Sequence, residues 1–346
     1  LGENMINIYS DNPSMDIRRV QVTGGSSFMI TLPKEWAESV GLKKNDPVMV
    51  VPQPGGGLLL SVGGVQAPSE GDDTEIDADR VPDSVALYRQ LIGAYIAGFR
   101  TITVHSAFPL RGSMLESVSR FTQTSIGMEI VEEDENRIVM KDLMDITEVV
   151  PQKNIRREHL LVKRMVSDVF QAASDMDTER LEGMADRDTE VDRIHWMVQR
   201  QSRILLKDIG LSAGMGVDLR TVTGCVSVSK TLERIGDHAV LMAIHTKDLI
   251  KAGGKDLCAD IGSMGDGIVK LMDSCVQAWM NTDRDGSEEC IRMAEAQTKA
   301  IVSAFGRMEM TDESLPVDVM AGSSRRLAEY CADIAEMALD SAMERT

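Results

Sequence analysis

The sequence predicts a mainly α protein: two three-helix repeats preceded by a small β-rich unit and a small α/β segment. Three observations carry this. From about residue 155 to the end, apolar residues recur at helical spacing. That stretch repeats itself: Val162-Lys-Arg-Met165, Gln171-Ala172 and Asp177 return 106 residues later as Ile268-Val-Lys-Leu271, Gln277-Ala278 and Asp283. The chain is also rich in methionine (23) and poor in aromatics (4%), a composition suited to the adaptable cores of helical bundles.

The elements follow in order. Residues 1–65 form the β-rich unit. Ile17 to Val22 alternates weakly and stops at Thr23-Gly24-Gly25, and Phe28 to Leu32 is a second strand closed by Pro33. Lys34 to Val40 makes one or two helical turns ending at Gly41. Asn45-Asp46-Pro47 and Gly55-Gly56-Gly57 are turns that deliver strands Val48 to Val51 and Leu58 to Val62. So short a sheet buries too little apolar area alone, so the unit is expected to dimerise. Residues 66–83 hold seven acids, one arginine and few apolar side chains, and are expected to be a linker. Residues 84–150 alternate between a helix at Val85 to Ala97, a strand at Thr101 to His105, a helix around Met114 to Thr124, and a hairpin of Met128 to Val131 with Arg137 to Met140. The repeats then run over 155–252 and 260–346. Ile194 answers Ile301 at an offset of 107, and Glu233 answers Glu329 at 96, so each repeat holds three helices.

Charge narrows the function. With 37 basic against 55 acidic residues the net is −18, so any contact with nucleic acid must be local. No run of 18 apolar residues exists, which predicts no membrane insertion, and the opening residues lack the pattern of a secretion signal. The five cysteines are scattered, without a C-x-x-C pair, and fit core positions in a cytoplasmic protein. No phosphate-cradling loop and no nucleophile elbow is present, so no catalytic residue is expected.

The chemistry lies in acid pairs four residues apart. Glu233 and Asp237 flank the apolar stripe Leu232, Ile235, Ala239 and Met242, and their own row continues through Val240 and Ile244. Positions i and i+4 share a helix face, so the two charges repel unless something positive satisfies them. Asp188 and Asp192 lie beside the stripe Val191, Ile194, Val198 and Leu205. Glu329 and Asp333 begin a row that runs on through Glu336 and Asp340 and equally suits a solvated face. Clustered carboxylates without cysteine suit a divalent or trivalent cation: Fe, Mn, Mg, Ca, or Zn with water. An arginine salt bridge is the alternative remedy for Glu233 and Asp237. At the 107 offset, Asp188 and Asp192 are answered by Glu295 and Lys299, and the lysine argues against a full second site.

Thr231-Leu-Glu-Arg-Ile-Gly-Asp-His238, preceded by Asp218-Leu219-Arg220, resembles the signature of the PhoU family of phosphate-uptake regulators, and Glu329 to Glu336 resembles its second-repeat counterpart. The resemblance implies two PhoU-like repeats, with metal, iron foremost, at Asp188, Asp192, Glu233, Asp237, Glu329 and Asp333. Arg18-Arg19-Val-Gln-Val-Thr23, Gly25-Ser26-Ser27, Thr31-Leu-Pro-Lys34 and Gly41-Leu-Lys-Lys-Asn-Asp46 resemble the AbrB/MazE/SpoVT swapped-hairpin DNA-binding domain. That implies a β-barrel interleaved from two chains, a homodimer, and DNA contacts by Arg18, Arg19, Thr23, Ser26, Ser27 and Lys34. The combined expectation is a metal-binding regulator of phosphate uptake and homeostasis that binds DNA, with a phosphate-transport ATPase or a signalling kinase as partner. Two rivals remain. One is a di-iron carboxylate oxidase, for which Asp192-Arg-Ile-His195 is a faint Glu-x-x-His-like element. The other gives the N-terminal domain only dimerisation and protein-partner binding.

Overall fold

The computed structural model describes residues 17–24, 27–52, 56–62, 73–306 and 314–344. The chain divides into two compact units, Leu1–Ala67 and Pro68–Thr346.

The first unit holds two separate hairpins. Strands β1 (Gln21–Thr23) and β2 (Ser27–Met29) pair with Val22 opposite Phe28, and β3 (Val48–Pro52) pairs with β4 (Leu58–Val62). Helix α1 (Lys34–Ser39) links them and stops where Gly41 takes a φ of 67°. Strands β3 and β4 fall where the sequence placed them, while β1 and β2 are shorter than expected: residues 17–20 and 30–32 are not strand. Among the described residues of one chain, however, the barrel does not close: the two sheets remain two-stranded. Val22, Phe28, Met49, Val50 and Leu58 all face solvent, Phe28 at 79% exposure.

The second unit opens with an α/β layer. Strand β5 (Asp73–Asp77) leads into α2 (Ser84–Ala97), β6 (Thr101–His105), α3 (Gly112–Thr124), β7 (Met128–Asp134) and β8 (Arg137–Asp142). The sheet order is β5-β6-β8-β7, with β5 parallel to β6 and the other pairs antiparallel. Leu87, Leu91, Tyr95, Phe121, Ile102, Val104 and Met140 form the core between helices and sheet. The linker expected over 66–83 is therefore corrected: residues 73–77 are an edge strand. Its acids are used locally. Asp77 caps a short 3-10 turn through the amide of Asp79, and the Asp79 carboxylate accepts from the Ser106 hydroxyl and the Ala107 amide.

Helices α4 (Pro151–Asp175), α5 (Met184–Lys207) and α7 (Leu219–Ala252) form the first bundle, with α6 (Ile209–Gly214) a short connector. After α8 (Lys255–Gly262), helices α9 (Gly265–Asn281), α10 (Arg284–Phe305) and α11 (Ser314–Met343) form the second. One apolar core runs through both, joined where α7 packs on α11 and α4 on α9. Glycine permits the tightest approach: a Cβ on Gly265 would lie 2.4 Å from the Phe170 Cβ of α4, and one on Gly262 2.0 Å from the Ser174 hydroxyl. His159 and Lys163 of α4 both grip Asp273 of α9.

The α/β layer is bolted to α5. Arg200, 1% exposed, donates to both the Asp142 carboxylate and the Tyr95 carbonyl, and its guanidinium lies 4.8 Å from the centre of the Tyr95 ring. All five cysteines are buried and unoxidised. Those of the second bundle converge, with the Cys275 thiol touching Cys331 and Cys290. No helix among the described residues is long and apolar enough to cross a membrane.

Candidate metal centre

The first-bundle acids come together on adjoining faces of α5 and α7. Val191, Ile194, Val198 and Leu205 anchor α5, and Leu232, Ile235, Ala239 and Met242 anchor α7, each buried as the stripes require. The helices meet where α7 carries glycine: a Cβ on Gly236 would stand 3.4 Å from Oδ1 of Asp188 and 3.6 Å from Val191. The missing side chain lets the Asp188 carboxylate lie against α7 between Glu233 and Asp237.

Electrostatics follow from that crowding. Burial first, then the charges of Asp237 and Glu233, push Asp188 up to about 6. Burial, with Asp188, Glu233 and Asp237 around it, pushes Asp192 to about 7. The packing at its base and the neighbouring Glu233 hold Asp237 above the ordinary carboxylate range as well. Glu233, 14% exposed, is matched by Lys230, whose ammonium donates to both its oxygens at 2.7 Å. Part of the remedy is thus an internal lysine. The row opens outward sooner than expected, since Asp237 is exposed and Ile244 is 53% exposed.

The third acid pair differs. Glu329 is held by Arg325 at 3.4 Å and Arg326 at 3.1 Å. Asp333 lies exposed on α11, raised by its packing and by Glu329 but opposed by Arg234 and Arg326. Arg234 of α7 bears on both Asp237 and Asp333, which places it between the two acid groups. Glu336, Asp340, Glu295 and Lys299 face solvent.

Among the described residues, no three His, Cys, Asp or Glu side chains stand close enough to hold an ion as placed. Binding would need rotamer changes that draw the acids inward. The donor set nonetheless fits a hard or borderline cation. The crowding raises the proton affinity of Asp188, Asp192 and Asp237, and a cation relieves that repulsion as protons do.

The sequence reading missed one residue at this site. Glu158 of α4 is fully buried, and burial drives its carboxyl well above the usual range, with Glu233 and Asp192 adding to the shift. Its Oε2 accepts from the Ser229 hydroxyl at 2.8 Å, while Oε1 has no partner among the described residues. Ser229 lies 2.9 Å from Nδ1 of His195, whose ring burial holds neutral by lowering it to about 4. The legible signal was an acid inside the apolar row Ile155, Val162, Met165, Val166 and Val169. The Glu-x-x-His-like element thus aims His195 at a serine. His238 instead turns to α11, 3.1 Å from the Ser323 hydroxyl and beside the Tyr330 ring.

In the N-terminal unit Arg18, Arg19, Thr23, Ser27 and Lys34 are all exposed, and Ser26 lies outside the described residues. Thr23 and Ser27 pair across the first hairpin, and Lys34 opens α1 with a 3.5 Å ion pair to Glu38.

Residues 155–245 match the PhoU domain family, and residues 21–62 match the family of MazE bacterial antitoxins, described as antidote-toxin recognition proteins. Among solved structures, the crystal structure of PhoU from Pseudomonas aeruginosa is 19% identical, with a TM-score of 0.47, over 57% of this chain and 96% of that one. The phosphate transport system regulatory protein PhoU from Streptococcus pneumoniae is 20% identical, with a TM-score of 0.43, over 55% of this chain and 92% of that one. No curated protein matches the chain in sequence. These matches bear out the two resemblances as far as they reach: residues 155–245, in the first helical repeat, are similar to the PhoU domain family, and residues 21–62 to the MazE family.

Proposed function

We propose that this protein is a metal-binding, non-catalytic regulator of phosphate homeostasis that acts in the cytoplasm as a homodimer and binds DNA through its N-terminal domain. The observation that carries the regulator reading is the PhoU match over the helices that bear the Asp188, Asp192, Glu233 and Asp237 group. These four residues would hold the metal, iron first and Zn, Mn or Mg as alternatives, with Glu329 and Asp333 contributing a second, weaker group. A bound cation supplies positive charge that offsets their mutual repulsion and ties α5 to α7. Lys230 already pairs with Glu233, and Gly236 leaves room for Asp188. A phosphate-transport ATPase or a signalling kinase is the partner class the reading implies.

Elemental analysis of the purified protein beside a Glu233→Ala/Asp237→Ala variant tests the metal assignment. Stoichiometric metal lost in the variant supports it, and none in either protein after reconstitution overturns it.

The DNA assignment is supported by the MazE-like match and by the exposed row of Arg18, Arg19, Ser27 and Lys34, which a second copy would double. The exposed apolar strands supply the reason for that second copy. Charge reversal at Arg18 and Arg19 is expected to abolish a salt-sensitive gel shift. Unchanged binding would remove DNA from the proposal and leave the domain a dimerisation module.

A further inference from the structure

Two registers of the α5–α7 contact are set by measured neighbours. Asp188 meets Gly236, and His195 meets Ser229. Between these levels lie Asp192 of α5 and Glu233 of α7. Ser229 is one turn before Glu233 and His195 is one turn after Asp192, so their contact lies one helical turn along the seam from the two acids, and both of its residues are more deeply buried than the acids are. Glu158 reaches this inner level from the third helix, α4. One of its oxygens is fixed by Ser229, and Ser229 is fixed in turn by His195. The other oxygen is buried with no hydrogen-bond partner among the described residues. A buried, unsatisfied oxygen costs about 1–3 kcal/mol or more, and the charges of Glu233 and Asp192 both bear on it.

We propose that Oε1 of Glu158 is the inner ligand of the first-repeat cation site, closing a three-helix set with Asp192 and Glu233. The inference rests on the metal reading above and deepens it. Coordination through Oε1 needs no existing bond to break, because Oε2 stays on Ser229. Ser229 and His195 are then positioning residues, of the kind that orients a ligating carboxylate from behind. The set consists of oxygen donors only, so it takes a hard or borderline divalent cation such as Mn2+ or Fe2+. The ion draws Asp192 and Glu233 inward rather than resting on the exposed rim at Asp237.

The test is a Mn2+ titration of the full chain, followed by the electron paramagnetic resonance signal of the free ion, for wild type, Glu158→Gln and the surface control Asp340→Asn. The glutamine keeps the shape and the acceptor for Ser229. We expect Glu158→Gln to melt, metal-free, no lower than wild type. It should bind Mn2+ at least tenfold more weakly and lose the rise in Tm that Mn2+ gives wild type, while Asp340→Asn behaves as wild type. Wild-type binding with equal affinity in Glu158→Gln overturns the inner ligand and leaves the outer metal site standing. Absence of Mn2+ and Fe2+ binding in wild type overturns both. If Glu158→Gln does not fold, Glu158→Asp, which keeps the charge and withdraws it by one methylene, must still weaken binding, and unchanged affinity there overturns the proposal.

Discussion

At the level of single residues, two buried charges have different consequences. Arg200 and Asp142 form an ion pair with side chains 1% and 8% exposed, and the arginine also serves the Tyr95 carbonyl. Replacing Arg200 with methionine leaves the buried Asp142 charge without its ion-pair partner, which costs about 3–5 kcal/mol, though the Met144 amide still donates to it. Urea unfolding of Arg200→Met checks the figure. Asp188 and Asp192 present the opposite case, because their folded-state affinities for protons exceed those of the unfolded chain. Between pH 4 and pH 7 the folded protein holds more protons than the unfolded one, so rising pH favours unfolding. The contribution is complete below pH 4 and lost as pH rises through the values near 6 and 7. The metal-free protein should therefore melt lower at pH 7.5 than at pH 5, Asp192→Asn should flatten that slope, and added Mn2+ should restore stability at the higher pH. The acids of α5 and α7 were legible in the sequence because i, i+4 spacing survives any packing arrangement. Glu158 showed only as an acid in an apolar row, and the pairings of Glu158 and Arg200 were not legible, because their partners come from helices and strands far along the chain: Ser229 is 71 residues from Glu158, and Asp142 is 58 from Arg200.

At the level of elements, helices were the easiest to place. The stripes of α4, α5 and α7 repeat over five or more turns, and the offset repeats confirm the second set. Strand β5 was obscured by composition. Asp73, Glu75 and Asp77 mimic a solvated linker, yet an edge strand tolerates acids on its open side, and Ile76 suffices to seat it against the α/β core. Glycines that let helices approach were equally silent in the sequence, since a glycine in a helical pattern ordinarily signals only weakness. Gly265 makes the point testable. Alanine there raises intrinsic helix propensity by about 1 kcal/mol, but its methyl would press into the Phe170 Cβ, a part of α4 that cannot swing away. Overpacking of this kind costs about 1–3 kcal/mol. Gly265→Ala should lower Tm in a thermal scan, and a rise would show that α9 shifts freely on α4.

For the molecule as a whole, the two units obey different rules. The larger unit buries its own core, while the smaller one leaves Phe28, Val50 and Leu58 in solvent, the surface that the proposed dimer would cover. Sedimentation should find a dimer in wild type and a monomer in a Phe28→Lys/Val50→Lys variant, and a variant that stays dimeric would place the contact elsewhere. Composition made the need for a partner visible, because hairpins this short cannot sustain a core. The buried thiols have a further use. Burial lifts Cys225 in the first bundle and Cys290 in the second to about 12, so neither forms thiolate at neutral pH while its helix stays packed. A disulfide-exchange reagent can attack them only during openings, and the modification rate becomes a clock for each bundle separately. A chain retaining Cys225 alone times the bundle that carries the acids, and a chain retaining Cys290 alone times its neighbour. Slower labelling of the first but not the second on adding Mn2+ would locate, bundle by bundle, where the cation tightens the fold.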